Sequence, residues 1–134
     1  MTAPGALRLY SYFRSTSAWR VRIALAWKGV AHELVPVHLL GGAQHRPEFA
    51  SRNPLEQVPV LEASLPDGEF SLTQSLAILE YLEERFPAPA LLPKEAELRA
   101  RVRQLSEIVN SGIQSFQNLG FRKILEAQGV DPKS

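Results

Sequence analysis

The sequence predicts an α/β domain whose elements run β-α-β and then β-β-α, followed by a helical segment. Three observations predict it: short runs of alternating apolar and polar residues, helix-period apolar residues behind hydroxyl-rich starts, and a proline-rich break over residues 86–94. A length of 134 residues allows one compact domain of ordinary size, or a small domain with part of a second. With 45% hydrophobic and 22% charged residues, the composition is that of a folding globular chain rather than a disordered one.

Residues 6–12 set Leu7, Leu9 and Ser11 against Arg8, Tyr10 and Tyr12, the period-two pattern of a strand. Ser15, Thr16 and Ser17 are types that cap helix starts, and Val21, Ala24, Leu25 and Lys28 then recur at helical spacing until Gly29 supplies a stop. Residues 32–38 read as a second strand, with Glu33, Val35 and Val37 on one face and Leu34 and Pro36 on the other. Proline has no N–H for a ladder, so Pro36 argues for an edge position. Gly41, Gly42 and Pro47 mark an irregular stretch with a helical turn near residues 48–52. Strands at 58–63 and 69–72 flank Pro66-Asp67-Gly68, where proline presets the bend and glycine is free to take a positive φ, so the two form a hairpin.

Residues 75–85 place Leu76, Ile78, Leu79 and Leu82 on one helix face, with Glu80, Glu83 and Glu84 mostly toward solvent. Pro87, Pro89 and Pro93 then end the pattern. The organisation expected is a first domain over 1–86, a linker over 87–94 and a helical part over 95–134. The last begins with a long helix to about residue 117, carrying Leu98, Val102, Leu105, Ile108 and Val109, and closes with a helical piece near 121–128. The order of elements in the first 86 residues is that of a thioredoxin-like domain. One long helix and a fragment cannot enclose a core alone, so the tail must pack on the first domain, on another copy, or stay open.

Basic and acidic residues are interspersed and nearly balanced, 15 against 14, so no general field points to nucleic acid or an anionic membrane. The first five residues lack the basic-then-apolar layout of a signal peptide, and no apolar run approaches the roughly 18 residues a membrane helix needs. The expectation is a cytoplasmic protein. With no cysteine there are no disulfides, protein thiolates or thiol metal sites, and a disulfide oxidoreductase is excluded. His32, His38 and His45 lack metal-cluster spacing, so no metal is expected. Any sulfur chemistry must use sulfur from a bound small molecule.

Three local features carry chemistry. At Arg14-Ser15-Thr16-Ser17 the hydroxyls cluster at a helix start, where unpaired N–H groups and the helix dipole stabilise an anion and a hydroxyl can donate to a thiolate; an ordinary N-cap uses the same residues. At Gln57-Val58-Pro59 a proline begins a strand, which suits a peptide-like ligand pairing with Val58, and a cis bond is plausible there. At Thr73-Gln74-Ser75 a second donor-rich helix start suits an α-carboxylate, with capping by Ser75 as the plain alternative.

Together STSAWRVRIALAWKG, NPLEQVPVL, LTQSLAILEYLEERFPAPALLP and SGIQSFQNL closely resemble the zeta-class glutathione transferases, the maleylacetoacetate isomerase type, over almost the whole chain. The run through Trp19-Arg20-Val21-Arg22-Ile23-Ala24-Leu25 is specific to that class, whereas the VP and QS elements occur across glutathione transferases generally. The resemblance implies a thioredoxin-like domain followed by an incomplete all-α C-terminal domain, ending before the helices that complete the electrophile pocket. It implies glutathione as cofactor, and an exposed apolar stripe at Val109, Ile113 and Phe116 would favour a homodimer. By motif, Ser15 lies at the glutathione thiol and Thr16 is the following hydroxyl. Gln44 touches the tripeptide, Val58 beside Pro59 pairs with its cysteinyl backbone, and Gln74 and Ser75 hold its γ-glutamyl end. Gln114 and Asn118 match positions of the helical domain beside the active site. Ser17 stands where the family often has cysteine, which puts cysteine-dependent side chemistry in doubt but leaves the glutathione sulfur as nucleophile.

The activity implied is cis–trans isomerisation of maleylacetoacetate- or maleylpyruvate-type dicarboxylates in aromatic amino acid catabolism. Glutathione thiolate adds to the double bond, rotation follows in the enolate, and elimination regenerates glutathione. The substrate carboxylates call for a cation. Arg20 and Arg22, two apart on a helix, point to different sides and cannot both face one ligand; Arg14 or Arg20 is favoured for the task. Conjugation or dehalogenation with the same thiolate is an alternative, as is a non-catalytic glutathione-binding or assembly module. The last would follow from a short helical domain that leaves Val109, Ile113 and Phe116 exposed.

Overall fold

The structure is a computed structural model and describes residues 5–131. The leader reading at residues 1–4 and the last residues, 132–134, lie outside the described part. The chain divides into two compact units, residues 1–91 and 92–134.

In the first unit β1 (Leu7–Ser11), α1 (Thr16–Trp27), β2 (Glu33–Pro36), α2 (Pro47–Ala50), β3 (Val60–Leu65), β4 (Gly68–Thr73) and α3 (Ser75–Arg85) follow one another, with two 3₁₀ turns before α2. The sheet order is β2-β1-β3-β4, with β1 parallel to β2 and antiparallel to β3, and β3 antiparallel to β4. This is the mixed sheet of the thioredoxin-like class. Pro36 sits on an edge strand, where its missing N–H costs no ladder bond.

Both faces of the sheet are covered. Against one lie Leu9 and Leu61 with Val21, Ala24 and Leu25 of α1 and Ile78 and Leu82 of α3. Each fully buried Leu, Ile or Val contributes about 1.5–3 kcal/mol relative to exposure. Against the other lie Tyr10, Tyr12, Val60, Val58, Val37 and Phe49. The alternation in β1 suggests a polar face at Arg8, Tyr10 and Tyr12, but only Arg8 is exposed. Tyr10 is buried because α2 brings Phe49 edge-on to it, with ring centroids 6.1 Å apart.

α1 ends at Lys28, after which Gly29 takes φ +62°, a conformation nearly free only for glycine. Gly29 N–H then donates to Ala26 C=O and Val30 N–H to Leu25 C=O, a Schellman stop. The hairpin turns at Pro66-Asp67, with Gly68 at φ +130°.

The acidic face of α3 is not wholly solvated. Glu83 is buried, because its carboxylate meets Lys28 Nζ at 2.7 Å and accepts from Leu91 N–H at 2.9 Å. Lys28 Nζ also donates to the carbonyls of Phe86 and Pro89, at 2.6 and 3.0 Å. A lysine at a core-facing helix position is thereby satisfied, and the chain after α3 is tied to the end of α1.

In the second unit α4 (Ala96–Glu107) continues through a π-helical stretch, Ile108–Gln114, into α5 (Ser115–Gln117), and α6 (Leu119–Ala127) follows. The sequence reads as one long helix to residue 117. The wider turn falls on Asn110-Ser111-Gly112, weak helix formers, with Ser115 Oγ donating back to Ser111 C=O at 2.6 Å. Val109, Ile113 and Phe116 are exposed.

Candidate functional site

Strand register brings the chemical features of the first unit to one end of the sheet. Ser11 lies opposite Pro36, Tyr10 opposite Val60, and Val60 opposite Thr73. The segments just beyond that row leave the same end: 12–15 after β1, 37–45 after β2, 58–59 before β3, and 74–75 after β4. Ser15, Gln44, Val58, Pro59, Gln74 and Ser75 are therefore gathered by topology.

Ser15 closes the turn after β1 by donating its N–H to Tyr12 C=O at 3.0 Å. It is the N-cap of α1, and its Oγ accepts from Ala18 N–H at 3.2 Å. Capping does not exhaust a hydroxyl, which retains a proton to donate and a second lone pair. No acidic residue occupies the first turn of α1, so the positive end of the helix is not neutralised there. Thr16 is exposed and Ser17 half-buried, both inside the helix rather than at its cap.

Val58 and Pro59 precede the strand rather than begin it, since the ladder starts at Val60. The sheet thus leaves the Val58 backbone groups uncommitted. The Val58–Pro59 peptide bond is cis. The loop before them is braced by Asn53, buried to 2% exposure, whose Nδ2 donates to Gln57 C=O at 2.7 Å and whose Oδ1 accepts from Leu55 N–H at 3.1 Å. The residue pattern does not single out Asn53. Its only signal was an Asn-Pro pair, which marks a turn without revealing a buried brace.

At the third feature Gln74, not Ser75, is the cap residue of α3, and no side chain caps that helix start. Ser75 is buried as the first residue of the helix, so the capping alternative fails at that serine. Gln74 holds φ +68° and ψ 114°, backbone that a non-glycine residue rarely adopts and that clusters at ligand sites. The leading N–H groups of α3 are left for an external acceptor.

Gln44 is buried in a 3₁₀ turn, with its Nε2 2.9 Å from His45 Nε2, while His45 Nδ1 is hydrogen-bonded to the Glu56 carboxylate. Arg14 is exposed; Arg20 is half-buried, and desolvation lowers its pKa from the ordinary arginine value. Arg22 is turned to the Phe13 carbonyl, 3.2 Å from its guanidinium nitrogen. Gln114 and Asn118 belong to the second unit, where Gln114 closes the π-helical stretch and Asn118 Oδ1 caps α6 by accepting from Phe121 N–H at 2.7 Å. Among the described residues no cluster of His, Asp and Glu could hold a metal ion, and no helix is long and apolar enough to cross a membrane.

Residues 5–84 match the family described as Glutathione S-transferase, N-terminal domain. The chain belongs to that family. Within it, the chain is 54% identical over 117 residues to a maleylacetoacetate isomerase of Rattus norvegicus, covering 86% of this chain and 52% of that protein. Its fold superposes on a maleylacetoacetate isomerase of Anaeromyxobacter dehalogenans 2CP-1 with dicarboxyethyl glutathione and citrate bound in the active site. There the TM-score is 0.80 at 50% identity, over 92% of this chain and 54% of that one. A zeta-class bacterial transferase, maleyl pyruvate isomerase in its holo form, gives a TM-score of 0.84 at 41% identity, over 92% and 57%. The zeta-class resemblance read from the motifs agrees with these relatives. The chain spans about half the length of the curated relatives it matches.

Proposed function

We propose that this chain is the glutathione-binding part of a glutathione-dependent cis–trans isomerase acting on maleylacetoacetate- or maleylpyruvate-type dicarboxylates. One observation carries the reading: the uncapped start of α3 at a strained Gln74 shares a sheet end with the Ser15 hydroxyl and with Val58, whose backbone the ladder leaves free. That arrangement suits a peptide that is anionic at one end and carries a thiol near its middle. Ser75 and the α3 amides take the γ-glutamyl carboxylate, Val58 pairs with the cysteinyl backbone, and Ser15 donates to the sulfur. Thr16 and Ser17 follow in the first turn, where the dipole favours the thiolate.

Bound thiolate adds to one alkene carbon of the substrate, giving an enolate in which the former double bond is a rotatable single bond. Elimination after rotation re-forms the alkene in trans geometry and returns glutathione unchanged. The protein's task is to hold thiolate and dicarboxylate together and to lower the thiol pKa. Arg14 or Arg20 is the cation for the carboxylates. Dicarboxyethyl glutathione and citrate in the active site of the Anaeromyxobacter enzyme support both halves of this reading. The division into a domain over 1–86, a linker over 87–94 and a helical part carrying Gln114 and Asn118 belongs to the same proposal. So do cytoplasmic location, homodimeric assembly and a role in aromatic amino acid breakdown.

Glutathione binding without turnover is the second reading. It is favoured by the absence of any buried residue among the described residues from 92 to 131. Calorimetric titration with glutathione, followed by assay of maleylacetoacetate and maleylpyruvate with and without it, separates the two. Turnover that requires glutathione supports the isomerase, binding alone supports the module, and no binding removes both. Activity confined to haloacid or conjugating electrophiles would instead indicate a transferase.

A further inference from the structure

Resting on the glutathione reading, we propose that His45 is a positioning residue. Held by Glu56, it orients the Gln44 amide so that the carbonyl oxygen, and not the nitrogen, is offered to the ligand.

The argument starts from hydrogen-bonding capacity. A carboxylate only accepts, so the His45 Nδ1 that meets Glu56 must carry a proton. A neutral imidazole protonated there has a bare Nε2, which can only accept. The group placed 2.9 Å from it is the NH₂ of Gln44, the donor that a bare Nε2 accepts from. The other end of that amide, Oε1, is buried and has no partner among the described residues, while the residue as a whole is only 8% exposed. A buried acceptor left unpaired is uncommon in folded proteins, and a ligand N–H would satisfy it. Glutathione supplies two amide N–H groups and an ammonium.

The backbone supports the same reading. Glu56 sits at φ +54°, left-handed backbone that is uncommon for a residue with a side chain, and its N–H donates to Asn53 C=O at 2.8 Å. Glu56 lies two residues before Val58. The chain Glu56, His45, Gln44 therefore ties the 3₁₀ turn after β2 to the loop that presents Val58, two parts of the site that come from distant stretches of sequence.

Calorimetry on the full chain tests this with a double-mutant cycle. His45→Ala is expected to weaken glutathione about tenfold, the effect of one neutral hydrogen bond. His45→Gln, whose carbonyl restores an acceptor, should retain most of the affinity. In a Gln44→Ala background His45→Ala should cost nothing more. Long-range ¹H–¹⁵N spectra of the wild type should show His45 protonated at Nδ1, and Glu56→Gln should move the proton toward Nε2; this reading needs no variant of His45 to fold. Equal losses from His45→Ala in both backgrounds, no loss at all, or an Nε2-protonated wild type would overturn the proposal. A wild-type chain that binds no glutathione removes the functional reading with it, whereas binding with additive losses removes the proposal alone.

Discussion

A serine hydroxyl has two lone pairs and one proton, and at Ser15 one lone pair is taken by Ala18 N–H. Ser15→Ala should therefore fail in two separable ways. Loss of the cap should cost about 1 kcal/mol in denaturant unfolding. Loss of the donor should raise the pKa of bound glutathione thiol, read from its ultraviolet thiolate absorbance, with affinity nearly intact. An unchanged thiol titration would remove Ser15 from its chemical role while leaving it as a cap. At the other helix start, Ser75→Ala should weaken glutathione by about 1–3 kcal/mol, as expected when a charged carboxylate loses a hydrogen bond. Gln74→Gly should split stability from function: relief of the φ +68° backbone should stabilise the fold on the order of 1 kcal/mol, while glutathione binding weakens. Stability falling along with affinity would argue against stored strain at that position.

At the scale of elements, α1 and α3 are joined by a buried ion pair whose side chains are 0% and 9% exposed. Removing one partner strands the other in the core, so Lys28→Met should cost about 3–5 kcal/mol in chemical denaturation, and adding Glu83→Leu should recover much of the loss. Across the sheet, Tyr10 donates to Glu62 at 2.9 Å, with Arg52 Nε 3.0 Å from the same hydroxyl. Burial, followed by the bond to Glu62, raises the Tyr10 pKa above its ordinary value. The folded state then holds this proton more tightly than the unfolded chain. The contribution is complete below the ordinary tyrosine pKa and is lost as pH rises from there through the raised value. Denaturation midpoints of wild type should fall more steeply than those of Tyr10→Phe across that alkaline window. The strands, α1 and α3 were legible in the sequence because their periodicity is local. The burial of Glu83 was not, since its partner Lys28 lies 55 residues away and an acidic residue beside Glu84 reads as a solvated face. The positive φ of Gln74, the escape of Val58 from the strand and the π-helical stretch were hidden for a related reason. Each is set by what neighbouring segments leave room for, which residue types do not record. The helix-start hydroxyls read as a candidate site because cap chemistry and anion binding use the same groups.

At the scale of the molecule the two units differ in how they could hold themselves together. Both apolar clusters draw their buried residues from within 7–82, so the first unit contains its own core. From 92 to 131 no described residue is buried, and Leu105, Ile108, Val109, Ile113 and Phe116 are each about half exposed. A helix of twelve residues such as α4 is marginal in water by itself, and most helical stability in proteins comes from packing an apolar face. The second unit, in this chain, lacks the buried face that would supply it. Amide hydrogen exchange should accordingly show residues 7–85 opening only with global unfolding, while 96–127 exchange orders of magnitude faster through local opening. Glutathione should slow exchange around Ser15, Val58 and Ser75. If the chain pairs with a second copy through its exposed apolar helix face, protection over 96–117 should rise with protein concentration, because association is a mass-action effect. Concentration-independent protection there as strong as that of β1 would show instead that the second unit is stable within a single chain, and the ordering of stabilities argued from burial would be wrong.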